Sequence, residues 1–342
     1  MTPFRIFAPI AALGLLGCGR GGEAVVVYTS VDDIFARPVM EAFERESGIR
    51  VEAVYDVEAT KTTGLYHRLL AEKARPRADV FWNSEIARTL QLEKAGILTP
   101  YASPSSQDIP APYRPQGAAW IGFGLRARVL VYNKEIVPPQ EIPRSIRDLA
   151  AERFRGAAAI ANPLFGTTAT HAGALRAKLG RERMEEYFRA LIANGVKVLA
   201  GNSVVRDRVV SGEIKVGLVD SDDAHMALQK GGPLRVVFPD QEPLWPGVAE
   251  PLGTFLIPNT VALVAGGPHP EGAKRFIDFL LRWETEELLA RGESAQIPVR
   301  SGLQSPPLLE VPENLRGMDV PCGEVARGVE EAFPFLQELL VR

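Results

Sequence analysis

Short apolar runs alternate with segments of helical spacing along most of the chain. Val25-Val26-Val27-Tyr28 is a strand candidate, Phe35, Val39, Met40 and Phe43 recur at helical spacing until Gly48, and Val51 to Tyr55 resumes as a strand. Strand, helix and strand within roughly thirty residues predict a parallel βαβ unit. A polar loop from Asp56 to Gly64 follows, containing Thr60-Lys61-Thr62-Thr63. Next come a helix carrying Leu65, Leu69 and Leu70 and a third strand over Ala78 to Trp82, which ends in Asn83-Ser84-Glu85. Parallel strands deliver their carboxyl ends to one edge, where ligands gather in open α/β sheets. Thr29, Ser30 and Asp32, then Thr60, Lys61 and Thr62, then Asn83 and Glu85 are therefore candidate ligand-binding residues.

The stretch from Thr99 to Pro115, rich in Pro, Ser and Gln, reads as an extended connection, and the apolar run Trp120 to Asn133 as a strand crossing into a second domain. The plan then repeats. Ala157 to Ala161 is a strand followed by Asn162-Pro163 and a helix opening on Gly166-Thr167-Thr168, and Val196 to Leu199 ends in Gly201-Asn202-Ser203. Val216 to Val219 ends in Asp220-Ser221-Asp222-Asp223. Val236 to Phe238 precedes a Pro-rich loop, Thr254 to Ile257 and Val261 to Val264 look like the return crossing, and Ala273, Phe276, Ile277, Leu280 and Leu281 mark an amphipathic helix. The remainder reads as short helical segments.

The boundaries expected are a signal peptide over 1–17, a tether over 18–23, lobe 1 over 24–120 plus 258–300, lobe 2 over 121–257, and C-terminal helices over 301–342 packing on the lobes. The leader supports the first two. One cation, Arg5, precedes an apolar core from Ile6 to Leu16, and the segment closes on Leu15-Leu16-Gly17-Cys18, too short for a mature spanning helix. The ending resembles a bacterial lipobox, which implies lipidation at Cys18, export to the bacterial cell envelope and a lipid anchor in a membrane. Of the 2 cysteines, Cys322 is then left without an intramolecular partner, and burial as a small hydrophobe accounts for it.

Composition narrows the partners. With 342 residues, 46% hydrophobic and 24% charged, the chain is an ordinary globular protein long enough for two domains. A net charge of −3 without a long basic run argues against a nucleic-acid partner.

The acids of Asp220, Asp222 and Asp223 admit three readings. Asp and Ser are preferred helix N-caps, and acids in a first turn are stabilised by the helix dipole, so the cluster could be a capped helix start. Hard oxygen ligands of this kind also suit a hard cation or a ligand ammonium. Four apolar residues followed by Asp-x-Asp, in VGLVDSDDA, resemble the first motif of haloacid-dehalogenase-like phosphatases, with Asp220 as nucleophile. The four histidines show no metal-binding spacing, and no Gly-x-Ser-x-Gly elbow is present. Thr167 and Thr168 after Gly166, together with Thr60 and Thr62, put hydroxyls and free backbone N–H groups at two helix starts, which favours anions.

The order VVVYTS, ADVFWNSE, RARVLVYNKE, ANPLFGTT, VGLVDSDDA and IPNTVALVAGGPHPEGAKRFIDFLL resembles the periplasmic solute-binding proteins of ABC importers, within them the ferric-iron-binding branch and its phosphonate-binding relatives. The resemblance implies an α/β fold, a two-lobed periplasmic-binding-protein clamshell (type II), each lobe a mostly parallel sheet flanked by helices. It implies a monomeric binding protein, not an enzyme and without a cofactor, that delivers a small charged ligand to a permease with a cytoplasmic ATPase. The cargo implied is ferric iron with a synergistic anion at Thr167 and Thr168, and Glu85, Asp220 and Asp222 as metal ligands. Iron-binding members typically carry two adjacent tyrosines after the strand that here ends in Asp220, where this chain has Ser221 and Asp222. The alternative cargo is an aminoalkylphosphonate or similar organophosphorus zwitterion, its ammonium on Asp220, Asp222 and Glu85 and its phosphonate on Thr60, Thr62, Thr167 and Thr168.

Overall fold

The computed structural model describes residues 23–56, 63–117 and 119–341. The expected signal peptide, Cys18 and the loop residues Thr60, Lys61 and Thr62 lie outside them. In the first lobe, β1 (Ala24–Thr29) lies between β2 (Arg50–Tyr55) and β3 (Val80–Asn83), parallel to both. The crossovers are α1 (Asp33–Ser47) and α2 (Gly64–Ala71), and α3 (Ala87–Lys94) follows β3. The apolar stripe predicted for α1 is the face it buries: Phe35, Ala36, Val39, Met40 and Phe43. Gly48 ends that helix in a left-handed conformation, φ 70°, which a residue without a Cβ adopts at little cost.

In the second lobe β6 (Ala158–Ala161) runs parallel to both β7 (Lys197–Leu199) and β8 (Val216–Asp220). Helices α4 (Gly166–Leu179), α5 (Arg181–Ala193), α6 (Asn202–Val210) and α7 (Ser221–Gln229) surround this sheet. Apolar clusters lie on both faces of each sheet, so the strands read as nearly continuous hydrophobic runs.

Two long strands join the lobes. β5 (Ile121–Asn133) is buried along all 13 residues, and its partner changes partway: Ile121 to Ala127 pair with β10 (Leu256–Val264), whereas Arg128 to Tyr132 pair with β8. The short strands β4 (Leu98–Thr99) and β9 (Leu234–Val237) flank β10 and β5. The return crossing, expected as two segments, is one strand whose register shifts between Pro258 and Asn259. Proline has no N–H for the ladder, so the pairing skips there without ending.

The C-terminal segment differs from the short helices expected. After α8 (Pro270–Leu280) and α9 (Trp283–Arg291), residues 322–341 form one 20-residue helix, α10 (Cys322–Val341), which runs through Pro334. It packs on α4 of one lobe and α3 of the other, where Gln91 Nε2 donates to Glu330 Oε1 at 3.0 Å. The crossing with α4 is close because Gly173 and Gly328 face each other with no side chains between the backbones. Cys322 is a free, half-buried thiol. Among the described residues no helix is long and apolar enough to cross a membrane.

Two predictions follow from this packing. A Cβ on Gly328 would strike the carbonyl oxygen of Gly173, so Gly328→Ala should destabilise the protein by roughly 1–3 kcal/mol in denaturant titration; an unchanged midpoint would contradict the close crossing. The second concerns His171 on α4, buried and stacked on Phe255 with ring centroids 5.2 Å apart. Burial, reinforced by Arg128 and partly opposed by Asp220, pushes its pKa down to about 3. The unfolded chain therefore takes up a proton near pH 6.5 that the folded chain refuses, so this stabilisation is complete above pH 6.5 and declines by up to about 1.4 kcal/mol per unit as pH falls toward 3. Asp240, raised to about 6 by burial, acts in the opposite sense between its ordinary range and pH 6. The stability difference between wild type and His171→Gln isolates the histidine, and should shift in favour of the variant as pH falls from 6.5 to 4.

Candidate functional site

Three parallel strands of the second lobe end side by side, and each hands the chain to a helix at the same edge. β6 leads to α4 at Gly166, β7 to α6 at Asn202, and β8 to α7 at Ser221. A cavity of about 270 Å³ opens there, lined by Thr167, Thr168, Asn202, Asp220, Asp222 and Asp223 from this lobe and by Asp32, Ile34 and Ser84 from the other. Gly166 has φ 55°, a left-handed conformation that lets α4 start abruptly and leaves Phe165 41% exposed at the rim. None of α4, α6 and α7 is capped by the side chain of its N-cap residue; in α7 the first-turn Asp223 N donates to Asp222 Oδ1 at 3.0 Å, whereas α4 and α6 bring their first turns and positive dipole ends to the cavity edge with no acid in them.

Asp220 stands at the N-cap position of α7 but does not cap it. Its buried carboxylate turns instead to two arginines of β5. Arg128 Nη1 donates to Oδ1 at 2.6 Å, and Arg126 Nη1 donates to Oδ2 at 3.0 Å. The same Oδ2 accepts from Thr167 Oγ1 at 2.8 Å and from Asn202 Nδ2 at 3.1 Å. Register explains the pairing, because Arg128 lies directly opposite Asp220 across the β5–β8 ladder. Burial alone would raise the Asp220 pKa, but Arg126, Arg128 and the hydrogen bonds outweigh it and hold the carboxyl below its ordinary value. Arg128 also donates from Nη2 to Thr168 Oγ1 at 3.2 Å, so one ion pair fixes the starts of α4 and α6.

Arg126 faces the cavity and joins the lobes. It contacts Asp222 Oδ2 at 3.4 Å and donates from Nη2 to the Ser84 carbonyl of the first lobe. Burial would lower its pKa; Asp222 and Asp220 more than reverse this and raise it. Asp223 meets Arg206 Nη1 at 3.3 Å. One oxygen each of Asp220, Asp222 and Asp223 lies within 4.8 Å of the others, a spacing that could hold a cation.

Of the residues expected from sequence, Asp32, Gly166, Thr167, Thr168, Asp220, Asp222 and Asp223 line this cavity. Ser221 lies behind it, its Oγ accepting from Ala127 N at 3.0 Å. Thr29, Ser30 and Asn83 are buried scaffold: Thr29 Oγ1 accepts from Val31 N, and Ser30 Oγ donates to Asn83 Oδ1 at 2.5 Å, tying the ends of β1 and β3. Glu85, expected as a ligand and as a metal or ammonium partner of Asp220 and Asp222, is not brought to them. It occupies the start of α3, accepting from Ala87 N at 2.5 Å and Arg88 N at 3.0 Å, and receives Thr170 Oγ1 from the other lobe at 3.1 Å. The reading of Asp220 as a phosphatase nucleophile is corrected too, since both its oxygens are held by paired groups. Sequence reasoning missed Arg126, Arg128 and Arg206. The signal was present in Arg126-Ala127-Arg128, two charges inside an otherwise apolar strand, because buried cations require acidic partners.

Comparisons with known proteins bear on the family and the fold. The model of the bacterial extracellular solute-binding protein family matches residues 78–315. Iron uptake protein A1 of Synechocystis sp. is 26% identical over 81% of this chain and 74% of its own length. The Fe(3+)-binding periplasmic protein of Serratia marcescens is 23% identical over 89% of this chain and 86% of its own. Among solved structures, iron-bound HitA from Pseudomonas aeruginosa superposes with a TM-score of 0.81 at 22% identity, over 93% of this chain and 99% of that one. The Trichodesmium protein IdiA (FutA), in complex with iron and citrate ligands, superposes with a TM-score of 0.76 at 22% identity, over 92% and 99%. These structures share the two-lobed α/β architecture, and because the family match covers more than half of the sequence, the chain belongs to the bacterial extracellular solute-binding proteins.

Proposed function

We propose that this chain is the cargo-capturing lipoprotein of an ABC importer, holding ferric iron with an accompanying anion between its lobes and delivering it to a membrane permease. The single observation that carries the reading is the convergence, in one inter-lobe cavity, of Asp32, Asp222 and Asp223 with the uncapped starts of α4 and α6. Carboxylate oxygens suit a hard cation, and helix starts suit an anion. The names of the relatives support iron as the cargo.

In this reading the metal-facing acids are Asp222 and Asp223, with Asp32 across the cleft. Asp220, paired with two arginines, shapes the wall more than it binds metal. The anion sits on Thr167 and Thr168. Closure brings the lobes together about β5 and β10, and the closed form is what the permease recognises. The protein acts as a monomer tethered through lipid on Cys18.

Two experiments test this. The protein purified from iron-replete cells should carry iron by metal analysis, and Asp222→Asn should reduce the retained iron by about tenfold while costing about 1–2 kcal/mol of stability; protein that takes up no iron from any donor would sink the reading. Cys18→Ser should move the protein from the membrane to the soluble fraction and remove the lipid mass from its N-terminus. Continued membrane retention would show that something other than a lipid on Cys18 holds it there.

A further inference from the structure

Glu85 lies outside the cavity, yet its carboxylate touches both lobes. The residue is 1% exposed and forms no ion pair among the described residues, so hydrogen bonds alone satisfy its charge. Three donors belong to its own lobe: Ala87 N at 2.5 Å and Arg88 N at 3.0 Å in the first turn of α3, and Asn83 Nδ2 at 3.2 Å. The fourth is Thr170 Oγ1 of α4, from the other lobe, at 3.1 Å. Without it the carboxylate still has three donors.

Thr170, 2% exposed, has an alternative as well. Its single hydroxyl proton faces two acceptors, Glu85 Oε2 across the lobes and the Gly166 carbonyl one turn back in its own helix at 3.2 Å. Threonine in a helix readily bonds the carbonyl four residues before it. Breaking a buried hydrogen bond is costly mainly when it strands a donor or an acceptor, and here neither end would be stranded. The packing permits the same movement. α10 is held to α4 by the close crossing of Gly173 and Gly328, whereas toward α3 it presents Ala326 and Val329 to Ala87, small side chains that interlock little.

We propose that the Thr170–Glu85 hydrogen bond is a reversible latch between the lobes, with Thr170 as the positioning residue that favours the present lobe angle when the cleft is empty. At this angle residues of both lobes line one cavity, which is the form that holds cargo. The latch keeps more of the empty protein in that form, and apparent affinity rises in proportion to its population. The affinity part rests on the iron reading above; the lobe-angle part does not.

Two measurements on the purified full chain test the latch: the radius of gyration of iron-free protein by small-angle X-ray scattering, and the rate at which excess EDTA strips iron loaded from ferric nitrilotriacetate. Thr170→Val, similar in shape but without the hydroxyl, should enlarge the radius and speed iron loss about fivefold, with unaltered circular dichroism. Thr170→Ser, which keeps the hydroxyl, should match the wild type in both. A valine variant with the wild-type radius and the wild-type rate of iron loss would overturn the latch. So would a serine variant that behaves like the valine one, because the methyl group and not the hydroxyl would then be responsible. If the wild type takes up no iron, the iron reading fails, and the radius alone decides for or against the latch.

Discussion

The buried pair of Arg128 and Asp220 is the interaction on which the cleft depends. A guanidinium with no exposed surface lies opposite a carboxylate that is 1% exposed, at the point where β5 leaves one sheet for the other. Burying two charges is costly, and such a pair is tolerated only where geometry and extra hydrogen bonds satisfy both ends. Here Thr167, Thr168 and Asn202 complete the arrangement, so the starts of α4 and α6 are set by the same contacts that neutralise the charges. The pair contributes less to net stability than to position, because it holds two helix termini at one edge of the sheet with their N–H groups uncovered.

In the proposed function, that arrangement also lets a chain rich in acids at its cleft accept an accompanying anion. Aspartates alone would repel a carboxylate or phosphate. With arginines drawn against them, their charge is largely spent inside the wall, and the partial positive charge of the helix ends is what an approaching ligand meets first.

Much of the fold was legible in the sequence because parallel strands and their crossovers have strong periodic signatures. β1, β3, β6 and β8 lie where short apolar runs end in polar clusters, and the edge on which lobe 2 gathers its ligand-facing residues follows from parallel order alone. The direction of individual side chains was not legible. A residue at a strand end can face the cleft, as Asp222 does, or turn inward to a neighbouring strand, as Ser30 does, and local pattern does not separate the two. Glu85 shows the same ambiguity, since an acid after a strand serves a helix start as readily as a ligand. The arginines of β5 escaped because their partners are distant in sequence. The helix α10 was hidden by its internal Pro334, which interrupts the helical pattern that Val325, Val329, Ala332 and Leu336 would otherwise announce.

The position of Arg126 has a mechanical consequence. It lies one residue from the partner change in the strand that both lobes share, with one end on Asp220 and Asp222 and the other on the Ser84 carbonyl. A ligand that draws this guanidinium toward itself pulls on the pivot directly, with no relay of intervening side chains. In the proposed function, occupancy and lobe angle are then one coordinate read at two places, and a membrane partner that senses only the angle between the lobes learns whether the cleft is full.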